Sequence, residues 1–391
     1  MGWTMIDPAH GVVIVGGGLA GLTLALEIAE QCPASIRVVV LEQRTRYERD
    51  RTWSYWRDNI VPEQHRFVHL ERQQWRHWRV SAGQKCAVQQ GEKLYCSIDA
   101  DAVYSEALRG LASCSNVSVQ LGVTVAEVTS GPKPVVRLTD GTRIDAKLVF
   151  DARPLPLTHP SALCQSFTGW EIEFVNPVLE TATIDLMDFM RDERGLHFFY
   201  VLPYSTRRAM IETTWVSPRS LRTDHAAQLT SYIANRWPDQ PYTTHFVERG
   251  CLPLVRPDVA RASGVVPIGA RAGTLRAATG YAFLNTLQDC RRLARQLAKG
   301  ELAPTAFAAS PLDSWMDQVF LRALTDRWLD GPDWFLGMFS GSSGDDMSAF
   351  LTGRASLVQR ISIAKKLPIA VFLKAAFGGT EAHAVRAVSA H

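Results

Sequence analysis

The feature that most constrains the fold is a glycine-rich turn between a short β-branched run and a helical stretch. Residues 12–15 read Val-Val-Ile-Val, which is typical of a strand buried on both faces. The turn Gly-Gly-Gly-Leu-Ala-Gly occupies 16–21, and a helical pattern continues to about Glu30. A second β-branched run over 38–41 ends at Glu42, where an acidic side chain accepts hydrogen bonds from ribose hydroxyls. This order predicts the strand–turn–helix–strand unit that binds a dinucleotide.

Each glycine of this turn has a physical task. Gly16 permits a tight turn, Gly18 lets the backbone approach a pyrophosphate without a Cβ in the way, and Gly21 allows close packing of helix on strand. The first helical residues, Leu19 and Ala20, present free N–H groups and the positive end of the helix dipole to the phosphates. The acid at the end of the second strand favours a ribose without a 2′-phosphate. The unit by itself does not distinguish FAD from NAD.

Composition argues against nucleic-acid binding. Lysine and arginine number 42 against 39 aspartates and glutamates, so the formal net charge is only +3, without the concentrated basic excess of nucleic-acid binders. The seven cysteines are scattered singly, which indicates reduced thiols in the cytoplasm and no metal site. No apolar run reaches the ~18 uninterrupted residues of a spanning helix, and the N-terminal residues lack the pattern of a signal peptide.

The remaining pattern predicts two lobes and a helical C-terminal region. Buried strands at 148–150 and 265–269 are expected to return to the dinucleotide sheet, beside helices over 102–111 and 283–297. Residues 51–100 are dense in Arg, Gln and Trp and show little periodicity. We predict a discontinuous dinucleotide-binding domain over 1–60, 101–164 and 256–300, a substrate domain over 61–100 and 165–255, and a helical region over 301–391.

The clearest hairpin of the predicted substrate domain joins residues 198–202 to residues 209–215. Because side chains alternate along a strand, its second strand is expected to place Met210, Glu212 and Thr214 on one face and the intervening residues on the other.

Several short segments are moderately specific, and their order and spacing are more so. They are Arg51–Trp56, Leu186–Phe189, Tyr200–Pro203, Ile211–Thr214, Arg271–Gly273 and Thr279–Tyr281. Together they resemble the bacterial lycopene β-cyclases, FAD-dependent carotenoid enzymes. The resemblance extends from the glycine turn to about residue 297.

The resemblance implies an α/β flavoprotein of the two-lobed, monooxygenase-like class. It would have a Rossmann-type FAD-binding domain, an antiparallel β-sheet substrate domain and a helical C-terminal region. It implies FAD that is active in its reduced form, with NAD(P)H as the reductant. The implied substrates are lycopene and related apolar polyenes, whose ends would be cyclised to β-rings in γ-carotene or β-carotene.

An apolar C40 substrate implies a cytoplasmic protein bound peripherally to the inner face of the cell membrane, alongside other carotenoid-pathway enzymes. Residues 361–377 mix apolar side chains with Lys365, Lys366 and Lys374, as an interfacial helix does. Pro368 interrupts this stretch, and a packed core helix explains it equally well.

Cyclisation requires an acid that protonates an alkene, a nearby base and a dry pocket that stabilises positive charge. A carboxyl in an apolar pocket has a raised pKa and can stay protonated near neutrality. By resemblance, Glu212 aligns with the catalytic glutamate; the alternative is an edge-strand Glu that faces water or pairs with Arg207 or Arg208. Asp188 is the second candidate, as a base or hydrogen-bond partner, and a turn aspartate is the alternative.

Other positions are candidates for contacts with the cation or the cofactor. Aromatic faces stabilise cations by about 0.5–2 kcal/mol each, and ordinary core packing is the competing explanation for these side chains. Arg271, beside Gly273, is expected near the flavin or its phosphates, unless it is a solvated surface arginine. The aromatic candidates are Trp53, Tyr55, Trp56 and Tyr281.

Two departures from related patterns bear on the alternatives. The D-x-R-G segment of the family reads Asp-Ala-Arg-Pro over 151–154 here. Flavin hydroxylases have Gly-Asp after the late strand, whereas this chain has Gly269-Ala270, which counts against a hydroxylase. A redox flavoenzyme of the same architecture, either a hydroxylase or an isoprenoid reductase, is the main alternative. A non-catalytic flavin or carotenoid carrier is the third.

Overall fold

The computed structural model describes residues 11–58, 65–154, 160–254, 262–301, 304–305, 307 and 309–378. The strands of this part are β1 (Val12–Val15), β2 (Val38–Glu42), β3 (Thr52–Asp58), β4 (Gln73–Ala82), β5 (Lys85–Asp99), β6 (Val117–Leu121), β7 (Val125–Thr129), β8 (Val135–Leu138), β9 (Arg143–Asp145), β10 (Leu148–Asp151), β11 (Leu163–Phe174), β12 (Thr183–Met190), β13 (Leu196–Pro203), β14 (Arg208–Pro218), β15 (Tyr242–Pro253) and β16 (Val265–Pro267). The α-helices are α1 (Leu19–Gln31), α2 (Ala100–Ala112), α3 (His225–Arg236), α4 (Phe283–Ala298), α5 (Pro311–Asp326), α6 (Gly331–Ser340), α7 (Gly344–Leu351), α8 (Leu357–Ala364) and α9 (Ile369–Phe377).

A five-stranded parallel sheet in the order β16-β10-β1-β2-β6 forms the half that is predicted to bind the dinucleotide, here called the cofactor-binding half. Helices α1, α2 and α4 pack on one face, and the small antiparallel sheet β7-β8-β9 covers the other. Because both faces are covered, every residue of β1, β2 and β10 is buried, as their uninterrupted apolar runs require. The expected return strands are confirmed as β10 and β16.

An eight-stranded mixed sheet in the order β15-β11-β14-β13-β12-β4-β5-β3 forms the second half. Its strand pairs are antiparallel except β12 with β4. Helix α3 packs on one face of β11, β13 and β14, and the opposite face packs with the C-terminal helices. The predicted alternation is confirmed, since Ala209 and Ile211 lie in the cluster with α3, whereas Met210 lies in the cluster on the opposite face.

The segment over 51–100, which showed little periodicity, forms three long strands. Its strands bury both faces along part of their length, so polar and apolar residues do not alternate. On β3, Tyr55 packs with α4 in the core of the cofactor-binding half, while the next residue, Trp56, packs in the core shared with the C-terminal helices. Strand β3, within the range predicted for the dinucleotide-binding domain, is one of the two edge strands of the mixed sheet.

The region beyond residue 309 is helical where the structure describes it. The glycine/serine-rich stretch at 340–344 lies at the junction of α6 and α7. The stretch over 361–377, for which the sequence offered an interfacial or a core helix, is divided between the end of α8 and α9. Pro368 is the N-cap residue of α9 and separates the two helices. Within the described residues, no helix is long and apolar enough to cross a membrane.

Close packing of α1 on the glycine turn generates a stability prediction. A Cβ on Gly21 would lie 1.9 Å from the carbonyl oxygen of Gly16 and 3.2 Å from Cγ2 of Ile14. Because α1 must move to relieve this overlap, we expect Gly21→Ala to lower the free energy of unfolding by about 1–3 kcal/mol, measured by thermal unfolding of the apoprotein. Gly18→Ala is the matched control, since a Cβ there meets no atom within 4 Å. Equal midpoints for the two variants would contradict this packing.

Candidate active site

The turn before α1 is shaped as a cradle for a diphosphate. Gly16 has a φ of +99°, in the left-handed region that glycine favours. The helix begins at Leu19 without a side-chain cap or an acidic residue in its first turn, and the space beside Gly18 is open. Gly269, with a φ of +62°, follows β16, and a Cβ there would lie 2.8 Å from Cβ of Ala20. The first-turn N–H groups and the positive helix end are therefore available to an anion.

Glu42 is fixed at the end of β2 by donors from the turn. The Gly17 N–H donates to Oε2 of Glu42 over 2.7 Å, and the Arg44 backbone N–H donates to Oε1 over 2.8 Å. The Arg44 guanidinium also donates to both carboxylate oxygens. Burial opposes ionisation, but these hydrogen bonds outweigh it and lower the pKa of Glu42. These four donors occupy the lone-pair sites of the carboxylate, so a ribose hydroxyl would bind by replacing one of them.

Asp151 gathers two arginines at the carboxyl end of the parallel sheet. Its Oδ1 accepts from the Arg153 backbone N–H and Nε, both over 3.0 Å, and its Oδ2 lies 3.3 Å from Nε of Arg271. Gly273, two residues further on, has a φ of +83° and ends a 3₁₀ turn. The Asp-Ala-Arg-Pro segment and the Arg271 segment thus meet beside the turn that precedes α1, where ligands of such sheets bind.

Two glutamates converge on the mixed sheet because of strand register. Gly169 on β11 lies opposite Glu212 on β14 and also opposite Glu248 on β15. The central residue has no side chain, and a Cβ on Gly169 would lie 3.0 Å from Cγ of Glu248. The two carboxyls adjoin each other above this glycine, close enough for each to affect the pKa of the other. Thr214 Oγ1 donates to Oε1 of Glu212 over 2.5 Å, and the Thr52 N–H donates to Oε2 of Glu248 over 2.7 Å.

The environment of this pair favours protonation. Burial, then the neighbouring charge of Glu248, raise the pKa of Glu212 well above its usual range, against the hydrogen bond from Thr214. Burial also raises the pKa of Glu248, to about 7, against the Thr52 N–H and the charge of Arg49. Glu212 is therefore the member of the pair that favours its protonated form.

Neutral aromatic side chains adjoin the pair. Tyr200 lies directly opposite Glu212 in the β13–β14 register, and its hydroxyl donates to the Tyr95 hydroxyl over 2.8 Å. The Trp56 ring lies 4.7 Å from that of Tyr95 and 5.0 Å from that of Tyr281. Burial raises the pKa of Tyr200 and Tyr281 well above the usual range, so these phenols stay neutral.

Two of the four aromatic candidates, Trp53 and Tyr55, lie away from the glutamate pair. The Tyr55 ring stacks on Phe283 of α4 at 4.5 Å. The Trp53 ring lies 5.6 Å from Phe283 and 5.8 Å from Tyr104 of α2. Strand alternation thus directs Trp53 and Tyr55 into the core of the cofactor-binding half, and Trp56 toward Tyr95 and Tyr281 in the other core.

Asp188 is placed on the opposite face of the sheet from Glu212. Its Oδ2 accepts from the Tyr232 hydroxyl over 2.8 Å and lies 3.4 Å from Nη1 of Arg236, both on α3. A register shift between Asp185 and Asp188 accompanies this arrangement. Burial raises the pKa of Asp188, while Tyr232 and Arg236 oppose that rise. The structure therefore brings Glu212 together with Glu248, and Asp188 with the ion pairs of α3.

Three site residues were not among the sequence candidates. Tyr95 lies in the segment with little periodicity, and Tyr200 lies in one of the resemblance segments but had no assigned role. Glu248 stands beside Arg249 and near His245, a pattern that resembles a solvated strand. Only the pairing register of β15 with β11, which aligns Glu248 with Gly169, identifies Glu248 as a site residue.

Sequence comparison decides the family. A family model described as lycopene cyclase protein matches residues 11–376. The chain belongs to the lycopene cyclase family. A lycopene beta-cyclase of Pantoea ananas is 27% identical over 398 residues, covering 93% of this chain and 96% of that protein. The family resemblance found in the short segments is thereby confirmed.

Solved structures confirm the fold of this lycopene cyclase family member. A geranylgeranyl bacteriochlorophyll reductase-like protein from Thermoplasma acidophilum has a TM-score of 0.59 at 14% identity, covering 93% of this chain and 98% of that one. A flavin-dependent brominase has a TM-score of 0.58 at 13% identity, covering 91% and 98%. The predicted flavoprotein monooxygenase-like architecture is confirmed: a parallel Rossmann-like sheet, a mixed sheet and C-terminal helices.

A buried ionic cluster supports the glutamate pair in this cyclase family member. Glu171, two residues beyond Gly169 on the same face of β11, is completely buried. Both of its oxygens accept from Arg72 over 2.7 Å, and Arg49 and Arg208 also pair with it. Burial opposes ionisation, but the arginines outweigh it and lower the pKa of Glu171 to about 2.

Removal of this carboxylate is expected to destabilise the fold in a pH-dependent way. Glu171→Gln leaves three arginines without their common partner and should cost about 3–5 kcal/mol at pH 7. Because the folded pKa is depressed, the stabilisation is present above the unfolded pKa of about 4.3 and is lost as pH falls toward the folded value. Denaturant unfolding at pH 7 and in acid measures the difference.

The matched control for this prediction is Glu173→Gln on the same strand. Its half-exposed carboxylate pairs with His245 at 2.9 Å, and an exposed pair is worth about 0–1 kcal/mol. Similar losses in both variants, or a loss for Glu171→Gln that is independent of pH, would contradict the account.

Proposed function

We propose that this chain is a lycopene β-cyclase that protonates the linear ends of lycopene and closes them to β-rings, giving γ-carotene, β-carotene or both. The observation that carries the proposal is the position of the Glu212 carboxyl, which lies beside Glu248 among buried tyrosine and tryptophan side chains. A carboxyl that stays protonated at neutral pH is the group that acid-initiated cyclisation requires.

The reaction is redox-neutral. Glu212 donates its proton to the terminal double bond, which leaves a tertiary carbocation. The neighbouring alkene attacks this cation and closes a six-membered ring, and a proton leaves a ring carbon. The faces of Tyr200, Trp56 and Tyr281 stabilise the cation by about 0.5–2 kcal/mol each. One proton enters and one leaves, so the composition of the polyene is unchanged.

The cradle before α1 fits FAD. The first-turn N–H groups beyond Gly18, with Leu19 and Ala20, would hold the diphosphate, and Glu42 would hold the ribose. Arg271 and Gly273 would approach the flavin side. When bound, reduced FAD would supply negative charge near the cation, and NAD(P)H would supply its electrons. We propose that Asp188, by contrast, supports the fold through its partners on α3.

The acid role of Glu212 is tested in a lycopene-accumulating bacterial host. We expect the wild-type chain to convert lycopene to cyclised carotenes and Glu212→Gln to reduce conversion at least 100-fold, because an amide does not protonate an alkene; general acid catalysis contributes about 10²–10⁴-fold. Pigment extraction and chromatography measure the products. Glu127→Gln, at an exposed site on β7, is the control and should retain full conversion. Conversion that survives Glu212→Gln would place the acid elsewhere.

A redox flavoenzyme remains the second candidate, because the fold is shared with a geranylgeranyl bacteriochlorophyll reductase-like protein. The two functions differ in electron use. A cyclase consumes NAD(P)H only to reduce its flavin once, whereas a reductase or hydroxylase consumes one equivalent in each turnover. The ratio of NAD(P)H oxidised to lycopene converted therefore discriminates between them.

We further propose that α8 and α9 bind the surface of an anionic membrane from which the substrate is drawn. Residues 357–378 contain four basic side chains and no acidic one. Six large apolar side chains of these helices are exposed, which is the pattern of an interfacial helix pair. They are Leu357, Val358, Ile361, Ile369, Leu373 and Phe377.

Vesicle binding tests this surface. The double variant Val358→Glu/Phe377→Glu should bind phosphatidylglycerol vesicles at least tenfold more weakly, because burial of each apolar side chain contributes about 1.5–3 kcal/mol. Val175→Glu, at an exposed turn after β11, is the control. Cosedimentation measures binding. Unchanged binding by the double variant would exclude this surface, and equal binding to phosphatidylcholine vesicles would exclude recognition of anionic lipid.

A further inference from the structure

We propose that Glu248 is a positioning residue for the proposed cyclisation, which acts through Glu212: its carboxylate accepts the hydrogen bond of the Glu212 carboxylic acid and holds that acid group in place for proton transfer. This inference rests on the proposed function and assigns a second carboxyl to the same site. Glu248 is 4% exposed, whereas Glu212 retains some exposure, so only Glu212 is available to a substrate.

The geometry that supports this role is set by three adjacent strands. Glu212 and Glu248 lie on the two neighbours of β11, both aligned with Gly169. Any side chain at Gly169 would separate them, since its Cβ would lie 2.9 Å from Sδ of Met210 and 3.0 Å from Cγ of Glu248. The glycine therefore provides the space in which the two carboxyls meet.

The other hydrogen-bond donors to each carboxyl indicate which of the two is ionised. Glu248 accepts the Thr52 backbone N–H, a fixed donor that favours its ionised form. Glu212 accepts from the Thr214 hydroxyl, a weaker and rotatable donor. A shared proton therefore resides on Glu212, with the Glu248 carboxylate as its acceptor.

The other ionisable groups that act on the pair do not alter this division. Arg49 lowers the proton affinity of Glu248, which favours Glu248 as the ionised member. Tyr95 interacts electrostatically with Glu212, and Tyr204 interacts electrostatically with Glu248. Burial raises the pKa of Tyr95 to about 12 and raises that of Tyr204 further. Both phenols are neutral in the working range, as is Tyr200 on the adjacent strand. Glu171 on β11 is already ionised and is paired with arginines.

The carboxyl pair takes part in two proton transfers of the proposed reaction. In the first step the O–H bond of Glu212 breaks and a C–H bond forms at the terminal alkene carbon. Both carboxylates are then ionised beside the cation. In the last step a ring C–H bond breaks and the proton returns to Glu212, because the adjacent Glu248 carboxylate raises the proton affinity of that site. The pair is restored without an external acid or base.

The test is the pH–rate profile of the flavin-loaded holoprotein with lycopene, for wild type and Glu248→Gln. The amide of Gln keeps an acceptor for the Thr52 N–H but donates to Glu212 and carries no charge, so it favours the Glu212 carboxylate. We expect the alkaline limb to move to lower pH by about one unit or more, a tenfold change in proton affinity. Glu127→Gln should leave the profile unshifted.

A uniform loss of rate with an unshifted profile would assign Glu248 a purely structural role and overturn the inference, as would an unchanged rate and profile. Infrared spectroscopy of the protonated-carboxyl stretch gives a second measurement that needs no turnover. We expect a band at neutral pH that Glu212→Gln removes and Glu248→Gln shifts to a lower titration range. A band that titrates identically in wild type and Glu248→Gln would refute the pairing.

Gly169→Ala is expected to separate the two carboxyls without removing either. It should therefore shift the alkaline limb of the pH–rate profile and the titration of the infrared carboxyl band in the same direction as Glu248→Gln. It replaces Glu248→Gln in both measurements if the latter does not fold. A wild-type protein that shows the paired band but does not cyclise lycopene would refute the proposed function and retain the pairing. Cyclisation without a shift in either variant would retain the function and refute the role of Glu248.

Discussion

The pairing of β11 between β14 and β15 is the constraint on which the candidate site depends. Antiparallel register places Gly169 opposite both Glu212 and Glu248, and the absent side chain lets their carboxyls meet. A slip of one residue would move every side chain of a strand to the other face of the sheet. The buried Glu171, held by arginines on the same face of β11, opposes such a slip because its charge cannot move into the apolar cluster beneath α3.

The two faces of the mixed sheet have different chemical character. One face carries the glutamate pair and the neutral phenols, together with the buried ionic cluster of Glu171 further along β11. The other face carries the apolar contacts of α3 and the ion pairs that include Asp188 and Arg236. Separation by the sheet keeps these cations away from Glu212, whose raised pKa depends on its apolar surroundings.

Strand β3 connects the core of the cofactor-binding half to the glutamate pair. Its first residue, Thr52, donates its N–H to Glu248, while Trp53 and Tyr55 pack into the core around α2 and α4. Trp56 on the alternate face adjoins the phenols. A single strand therefore contacts both the part that would hold the flavin and the carboxyl pair.

The sequence by itself determined the dinucleotide-binding unit, the return strands, the helical C-terminal region and the face on which Glu212 lies, because each follows from local periodicity or glycine chemistry. The family resemblance followed from short ordered segments. Only the tertiary structure decided which carboxyl accompanies Glu212. Glu248 is 36 residues away in the chain, and its relation to Glu212 exists only through the pairing of both strands with β11. Asp188, closer in sequence, lies on the other face, since a register shift in β12 that no local pattern marks accompanies its contacts with α3.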